Sequence, residues 1–307
     1  QRYHVRLKAA GLDAAQLASL VGTEGVTGGL SADVMVHGRG ADTNAVSAYG
    51  TAHGEGLAYR GVMTSSSASS FYIAKGSVHF DYLGFDFADG GSLAVEGEAS
   101  RENLALSYYG SDMPLALVTT FVPQASAAGR LDVSGRIEGS TENPYVTADF
   151  QGREGVLFEQ PFDRFTGRAA GSLDGVELTD FTAEKNGKIT WYAKGSVGFV
   201  GERRVHIQLD TVGARMEDIM ALVAPEQPLT GNVDNIITIT GTLDNPSAVG
   251  YIHFYEGSYH GYFLTGMDGD YFIDDGVLRL QDFHIFSPLI DMDLNGTMKN
   301  GQLDMEV

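Results

Sequence analysis

Carboxylates are the residues of this chain best placed to do chemistry: 40 Asp and Glu face 20 Lys and Arg in 307 residues. Three pairs stand close together, Asp268/Asp270, Asp274/Asp275 and Asp291/Asp293. General acid–base catalysis needs two carboxyls converging on one substrate. Asp291 and Asp293 instead alternate with Ile290, Met292 and Leu294, which puts both acids on the wet face of a strand. Asp268-Gly269-Asp270 hints at calcium but lacks the spaced ligands and terminal Glu of a binding loop. The eight histidines show no H-E-x-x-H or comparable spacing, and there is no cysteine to hold a metal or form a disulfide. A G-x-S-x-G elbow and a phosphate-binding loop are both missing. Asn295-Gly296-Thr297 has the form of a glycosylation sequon, but an Asn-Gly turn already accounts for it. The chain therefore reads as a non-enzyme with no cofactor and no metal. Its net charge of −20 argues against nucleic acid or an anionic membrane surface as the main ligand.

What these acids decorate is a repeat. A strand of the form G-x-[L/V]-x5-[V/I]-x-G recurs at Gly28–Gly38, Gly129–Gly139 and Gly231–Gly241, with first glycines 101 and 102 residues apart. Glu-Gly recurs at Glu55-Gly56, Glu154-Gly155 and Glu256-Gly257, and further glycines at Gly76, Gly175 and Gly276, then Gly97, Gly195 and Gly296. Glycine at fixed places predicts turn chemistry punctuating every unit. Each unit also shows a short helical segment, at Asp13–Val21, Asp112–Val122 and Arg215–Ala224. Met216, Ile219, Met220 and Val223 form one apolar stripe on the third. Pro123 and Pro225 stop two of these helices, and Gly22 caps the other.

Alternation fills the rest: Val205, Ile207 and Leu209 interleave with Arg204, His206 and Gln208. The opening segment matches residues 203–213, since His4, Leu7 and Gly11 each stand 202 residues before His206, Leu209 and Gly213. The units expected are residues 11–110, 111–212 and an incomplete 213–307, with residues 1–10 ending a preceding repeat, as in a piece cut from a longer array. Such units bury apolar surface only against their neighbours. No run of about 18 apolar residues is present to span a bilayer as a helix.

Ile137-Glu138-Gly139-Ser140-Thr141-Glu142-Asn143-Pro144 and Ile239-Thr240-Gly241-Thr242-Leu243-Asp244-Asn245-Pro246 repeat an I-x-G-[ST]-x-x-N-P element in register, while the first unit has Thr43-Asn44-Ala45 there. With the recurring helix and D-G-x-x-x-L strands, the chain over essentially its whole length resembles the TamB family of translocation and assembly module proteins, within the AsmA-like group. That resemblance implies an elongated, repetitive, curved β-sheet with a taco-like apolar groove. It also implies a place in the periplasm of a double-membraned bacterium, with an inner-membrane anchor outside this stretch. Phospholipid acyl chains are the implied cargo, moved between the two membranes as bridge-like lipid transfer proteins do. A β-barrel assembly protein of the outer membrane is the implied partner.

Shelter is what such a path must supply. A methylene exposed to water costs about 0.8 kcal/mol, so a tail of roughly 16 carbons needs on the order of 13 kcal/mol of apolar contact along its way. The residues expected to line the groove are Val34, Val36, Leu131, Val133, Ile137, Ile237, Ile239, Ile290, Met292 and Leu294, all aliphatic or thioether. About seven strands per unit, spaced about 4.8 Å apart, are expected. Patterning alone fits a closed sandwich with a dry core, whereas the resemblance implies an open groove. Two other roles compete with the conduit. A scaffold or chaperone for outer-membrane β-barrel proteins would use exposed strand edges, and a β-solenoid adhesin would show aromatic and polar clusters outside.

Overall fold

A computed structural model describes residues 2–20, 25–39, 46–59, 62–117, 127–157, 160–223, 228–299 and 302–306. The chain is mostly β and divides into two compact units, Gln1–Pro161 and Phe162–Val307. The cut falls within the middle one of the three repeats read from the sequence.

The first unit contains β1 (Arg2–Asp13), α1 (Ala14–Leu20), β2 (Val26–Arg39), β3 (Ser47–Tyr59), β4 (Val62–Ala74), β5 (Ser77–Phe87), β6 (Ser92–Ser100), β7 (Asn103–Pro114), β8 (Ala127–Ser140) and β9 (Tyr145–Leu157). Every strand pairs antiparallel with the next, from β1–β2 through β8–β9. The second unit runs β10 (Gln160–Ser172), β11 (Gly175–Lys185), β12 (Lys188–Gly198), β13 (Val205–Arg215), α2 (Met216–Val223), β14 (Leu229–Gly241), β15 (Pro246–Tyr259), β16 (Tyr262–Asp274), β17 (Val277–Phe286), β18 (Asp291–Lys299) and β19 (Gln302–Glu306). It is the same kind of meander, each strand antiparallel to its successor. Neither unit closes: among the described residues β1 and β9 do not pair, nor do β10 and β19.

The three strands with the glycine signature are β2, β8 and β14, so one period of sequence holds six strands rather than about seven. The strands are long, many running 13 or 14 residues. Several hairpins close on two residues with positive φ, Lys75-Gly76, Asn186-Gly187, His260-Gly261 and Asp275-Gly276. That is the type I′ geometry which matches strand twist.

The Glu-Gly dipeptides are not turns. They form bulges inside β3, β9 and β15, where the register against β2, β8 and β14 slips by one residue. Here the two backbones nearly touch. A Cβ on Gly155 would lie 1.9 Å from the Ala128 carbonyl oxygen, and one on Gly257 would lie 2.0 Å from that of Thr230. Glycine thus marks close backbone approach at Gly155 and Gly257 and a positive φ of 57° at Gly56, and either leaves the same trace in sequence as a turn.

Two of the expected helices form with shorter bounds. In α1 the Asp13 carboxylate accepts the Ala15 amide at 2.9 Å, a side-chain cap. The third expected helix begins at Met216, since Arg215 ends β13. Of the second, Asp112–Pro114 is instead the end of β7, and residues 118–126 lie outside the described residues. Val21, Gly22, Thr43-Asn44-Ala45, Pro123, Ala224 and Pro225 lie outside them too.

Candidate functional site

Directly opposed residues in a ladder share a face, so the registers trace each face across a unit. In the first unit one row reads Leu7, Val34, Gly50, Phe71, Phe80, Gly97, Leu106, Ile137, Val146 from β1 to β9. The next row reads Val5, Val36, Ala48, Ile73, Val78, Ala99, Leu104, Gly139 from β1 to β8. Two residues further along β2 in the other direction, Ala32 opposes Ala9 and Ala52, and Leu30 opposes Leu12 and Gly54. One face of the sheet is thus apolar or small over many consecutive strands.

The second unit repeats this. From β10 to β18 one row runs Ala169, Leu178, Gly195, Ile207, Ile239, Ala248, Ile273, Leu278, Met298. Its neighbour from β11 to β18 runs Phe181, Ala193, Leu209, Ile237, Gly250, Tyr271, Leu280, Gly296. Polar atoms on this face are satisfied: Tyr271 Oη donates to Asn235 Oδ1 at 2.9 Å, and in the first unit Tyr108 Oη donates to the Thr147 carbonyl at 2.8 Å. Burial raises the pKa of both tyrosines, which keeps them neutral donors.

The apolar faces are only partly covered. Val34, Val36, Phe71, Leu106, Ile137, Ile237 and Ile239 are half-buried. Full burial is local: beside helix α2, Met216, Ala214, Val233 and Phe254 form a cluster with Met220 and Met267 packed against it, and elsewhere Ala14 and Leu115 of the first unit and Phe165 of the second are buried as well. The helix is tied down by Glu217, whose Oε2 accepts the Gly231 amide at 3.3 Å, and by Asp218, paired with Lys185 of β11. The side chains of Ile219 and Val223, the rest of its expected stripe, lie outside the described ones. Total accessible surface is 18471 Å². Two compact globules of half the chain's mass would expose roughly 15,000 Å² together.

The opposite face is polar. There Arg6 and Lys8 flank Asp33, and the Arg6 hydrogen bond holds that carboxyl down to about 2. The acid pairs sit on this face or in turns. Asp268 and Asp270 lie in β16, where Tyr251 Oη donates to Asp268 at 3.2 Å, so this run is strand and not a calcium loop. Asp274 accepts the Ser247 hydroxyl at 2.7 Å, and Asp275 sits in a hairpin turn. Asp293 and Asp291 flank His284 at 2.7 and 3.4 Å, and the Asp293 hydrogen bond chiefly raises the imidazole pKa. Other acids cap bulges: Asp132 accepts the Asp112 amide at 2.8 Å and Asp234 the Gly213 amide at 2.6 Å.

The residues read from the sequence as lining fall as follows. Val34, Val36, Leu131, Val133, Ile137, Ile237, Ile239, Met292 and Leu294 lie on apolar faces. Ile290 does not join them in a strand: it precedes β18 and is 45% exposed, because Ser287 takes its amide and carbonyl into a turn. Missing from that reading are the partners on the intervening strands, such as Phe71, Phe80, Leu83 and Leu106. In β5 the alternation breaks between Phe80 and Leu83, where a bulge returns the chain to the same face after three residues. No known protein family, curated protein or solved structure matches the chain.

Proposed function

We propose that this chain shelters phospholipid acyl chains on its apolar faces and passes them along, as one stretch of a conduit between the inner and outer membranes. The observation that carries the reading is the unbroken succession of apolar rows, strand after strand, left half-exposed. Rows from Leu30 to Val36 span six residues of β2, or about 20 Å at strand rise, wide enough to lay a tail flat. A surface of this kind supplies the roughly 0.8 kcal/mol per methylene that water withholds. The polar face, carrying much of the negative charge, keeps such a sheet soluble. The TamB resemblance supports the periplasmic setting, the anchor outside this stretch and the outer-membrane assembly partner.

A second reading has its own observation. The polar face displays Tyr49, Tyr72, Tyr109 and Tyr145, each about half exposed, and Tyr49 opposes Tyr72 directly. Exposed tyrosines suit a binding surface of the adhesin type. Purification without detergent, followed by lipid extraction and mass spectrometry, separates the two. Stoichiometric phospholipid supports the conduit, and lipid-free protein that retains its fold counts against it.

A further inference from the structure

Strands β7–β9 and β13–β15 are counterparts in the repeat. β7 and β13 slip register at the same place, between Gly110 and Met113 and between Thr211 and Ala214. At each slip an acid of the next strand accepts a backbone amide: Asp132 Oδ1 from Asp112 at 2.8 Å, and Asp234 Oδ1 from Gly213 at 2.6 Å. In the first unit cations of the same chain answer that charge. Arg153 Nη2 lies 3.2 Å from Asp132 Oδ2 and 3.3 Å from Asp112 Oδ1, and Arg130 Nη1 donates to the Asp112 carbonyl at 3.2 Å.

The second unit keeps the acid and loses the cations. Arg130 and Arg153 oppose each other between β8 and β9, and the equivalent pair between β14 and β15 is Asn232 and Tyr255. A second carboxylate stands nearby, since Asp210 takes the place of Tyr109 and opposes Ile236 where Tyr109 opposes Ser134. Gln208 Nε2 donates to both Asp210 oxygens at 3.0 and 3.1 Å but carries no charge. His253, opposite Asp234, stacks on Tyr255 with ring centroids 5.5 Å apart. Lys194, the next residue of β12 on this face after Tyr192, opposes Gln208. Among the described residues no Lys, Arg or His forms an ion pair with Asp210 or Asp234.

A cavity of about 520 Å³ opens at this place on the polar face, within the size range of small-molecule sites. Tyr192, Val212, Ile236 and Tyr251 line it together with Asp210 and Asp234. Tyr192, Asp210, Ile236 and Tyr251 form one row, so the two tyrosines stand about 14 Å apart with the acid and the isoleucine between them. Asp234 lies diagonally from Asp210, about 7–8 Å away across the ladder. Two carboxylates beside an apolar floor, bracketed by aromatic rings, are complementary to a cation with an apolar body.

We propose that this cavity binds a small organic cation, a guanidinium on a short apolar stem, whose head takes at Asp234 the place that Arg153 fills at Asp132. Its stem lies on Ile236 between the two tyrosines, and Asp210 supplies the second negative charge. A guanidinium suits the site because its planar fork pairs with carboxylate oxygens and stacks on a phenol ring.

n-Butylguanidinium and n-butylurea share a planar head of the same shape and differ in charge, so they are the probes. In isothermal titration calorimetry at low salt, the full chain should bind the guanidinium about tenfold more tightly than the urea. Asp234→Asn keeps an acceptor for the Gly213 amide and should weaken guanidinium binding about tenfold, as should Asp210→Asn, with the urea unaffected. Tyr255→Arg restores the cation that β9 carries and should abolish binding, whereas Tyr255→Phe should bind as the parent does. Circular dichroism confirms that each variant is folded. Absence of guanidinium binding, equal binding of the two probes, or an affinity that Asp234→Asn and Tyr255→Arg leave unchanged overturns the proposal.

Discussion

Replacing Ile239 with arginine asks whether the apolar face is open or enclosed. Ile239 is half-buried, with Ile207 and Ala248 directly opposite it. On an open face the arginine stem lies along these neighbours and its guanidinium reaches water. The cost is then the lost apolar contact, about 1–2 kcal/mol. Val233 is the control, since it faces the same way under helix α2 with 0% exposure. Arginine there strands a charge among Ala214, Phe254 and Met216 and should cost about 4 kcal/mol or more. At roughly 2–4 °C per kcal/mol for a domain of this size, Ile239→Arg should lower the midpoint by several degrees and Val233→Arg by about 10 °C or more. Thermal unfolding by circular dichroism reads both. Equal, large losses for the two variants would refute the reasoning, because Ile239 would then belong to a closed core.

His284 should make the second unit's stability pH-dependent. Its folded pKa is raised above its ordinary 6.5 by Asp293, so its contribution is complete below that value and is lost as pH rises through the raised folded pKa. His284→Gln should remove this slope in denaturant titrations at a series of pH values, and an unchanged slope would mean the pair does not form. Gly155→Val, with its Cβ driven onto the Ala128 carbonyl, should cost about 3 kcal/mol or more and Gly76→Ala, with open space around it, only about 1 kcal/mol. Comparable urea midpoints for the two would show that the Gly155 bulge is not a close contact.

Much of the architecture was legible because three copies of one pattern fall in step. The signature strands at Gly28, Gly129 and Gly231 lie within β2, β8 and β14, and the alternation of Val205, Ile207 and Leu209 is the face that β13 presents. Bulges hid the rest. A one-residue slip at Glu154-Gly155, or between Phe80 and Leu83, shifts the parity of every later side chain on that strand. Glycines at those slips look like turn glycines, since both need backbone space or positive φ. Aspartates were ambiguous for a related reason. Asp112, Asp180 and Asp282 hold positive φ within strands, so an acid that resembles a ligand can serve the backbone instead. Ile290 misled because alternation extends past the strand that it helps to begin.

Neighbouring residues on opposite faces give the most direct test of the lipid reading. Val34 and Ile237 lie on apolar faces, while Met35 and Ile236 adjoin them on the polar faces, Ile236 at 53% exposure. A photo-crosslinking amino acid placed at each position in cells should capture phospholipid at 34 and 237 and leave 35 and 236 unlabelled. Labelling that ignores the face, or that is absent from all four sites in folded protein, would contradict the account.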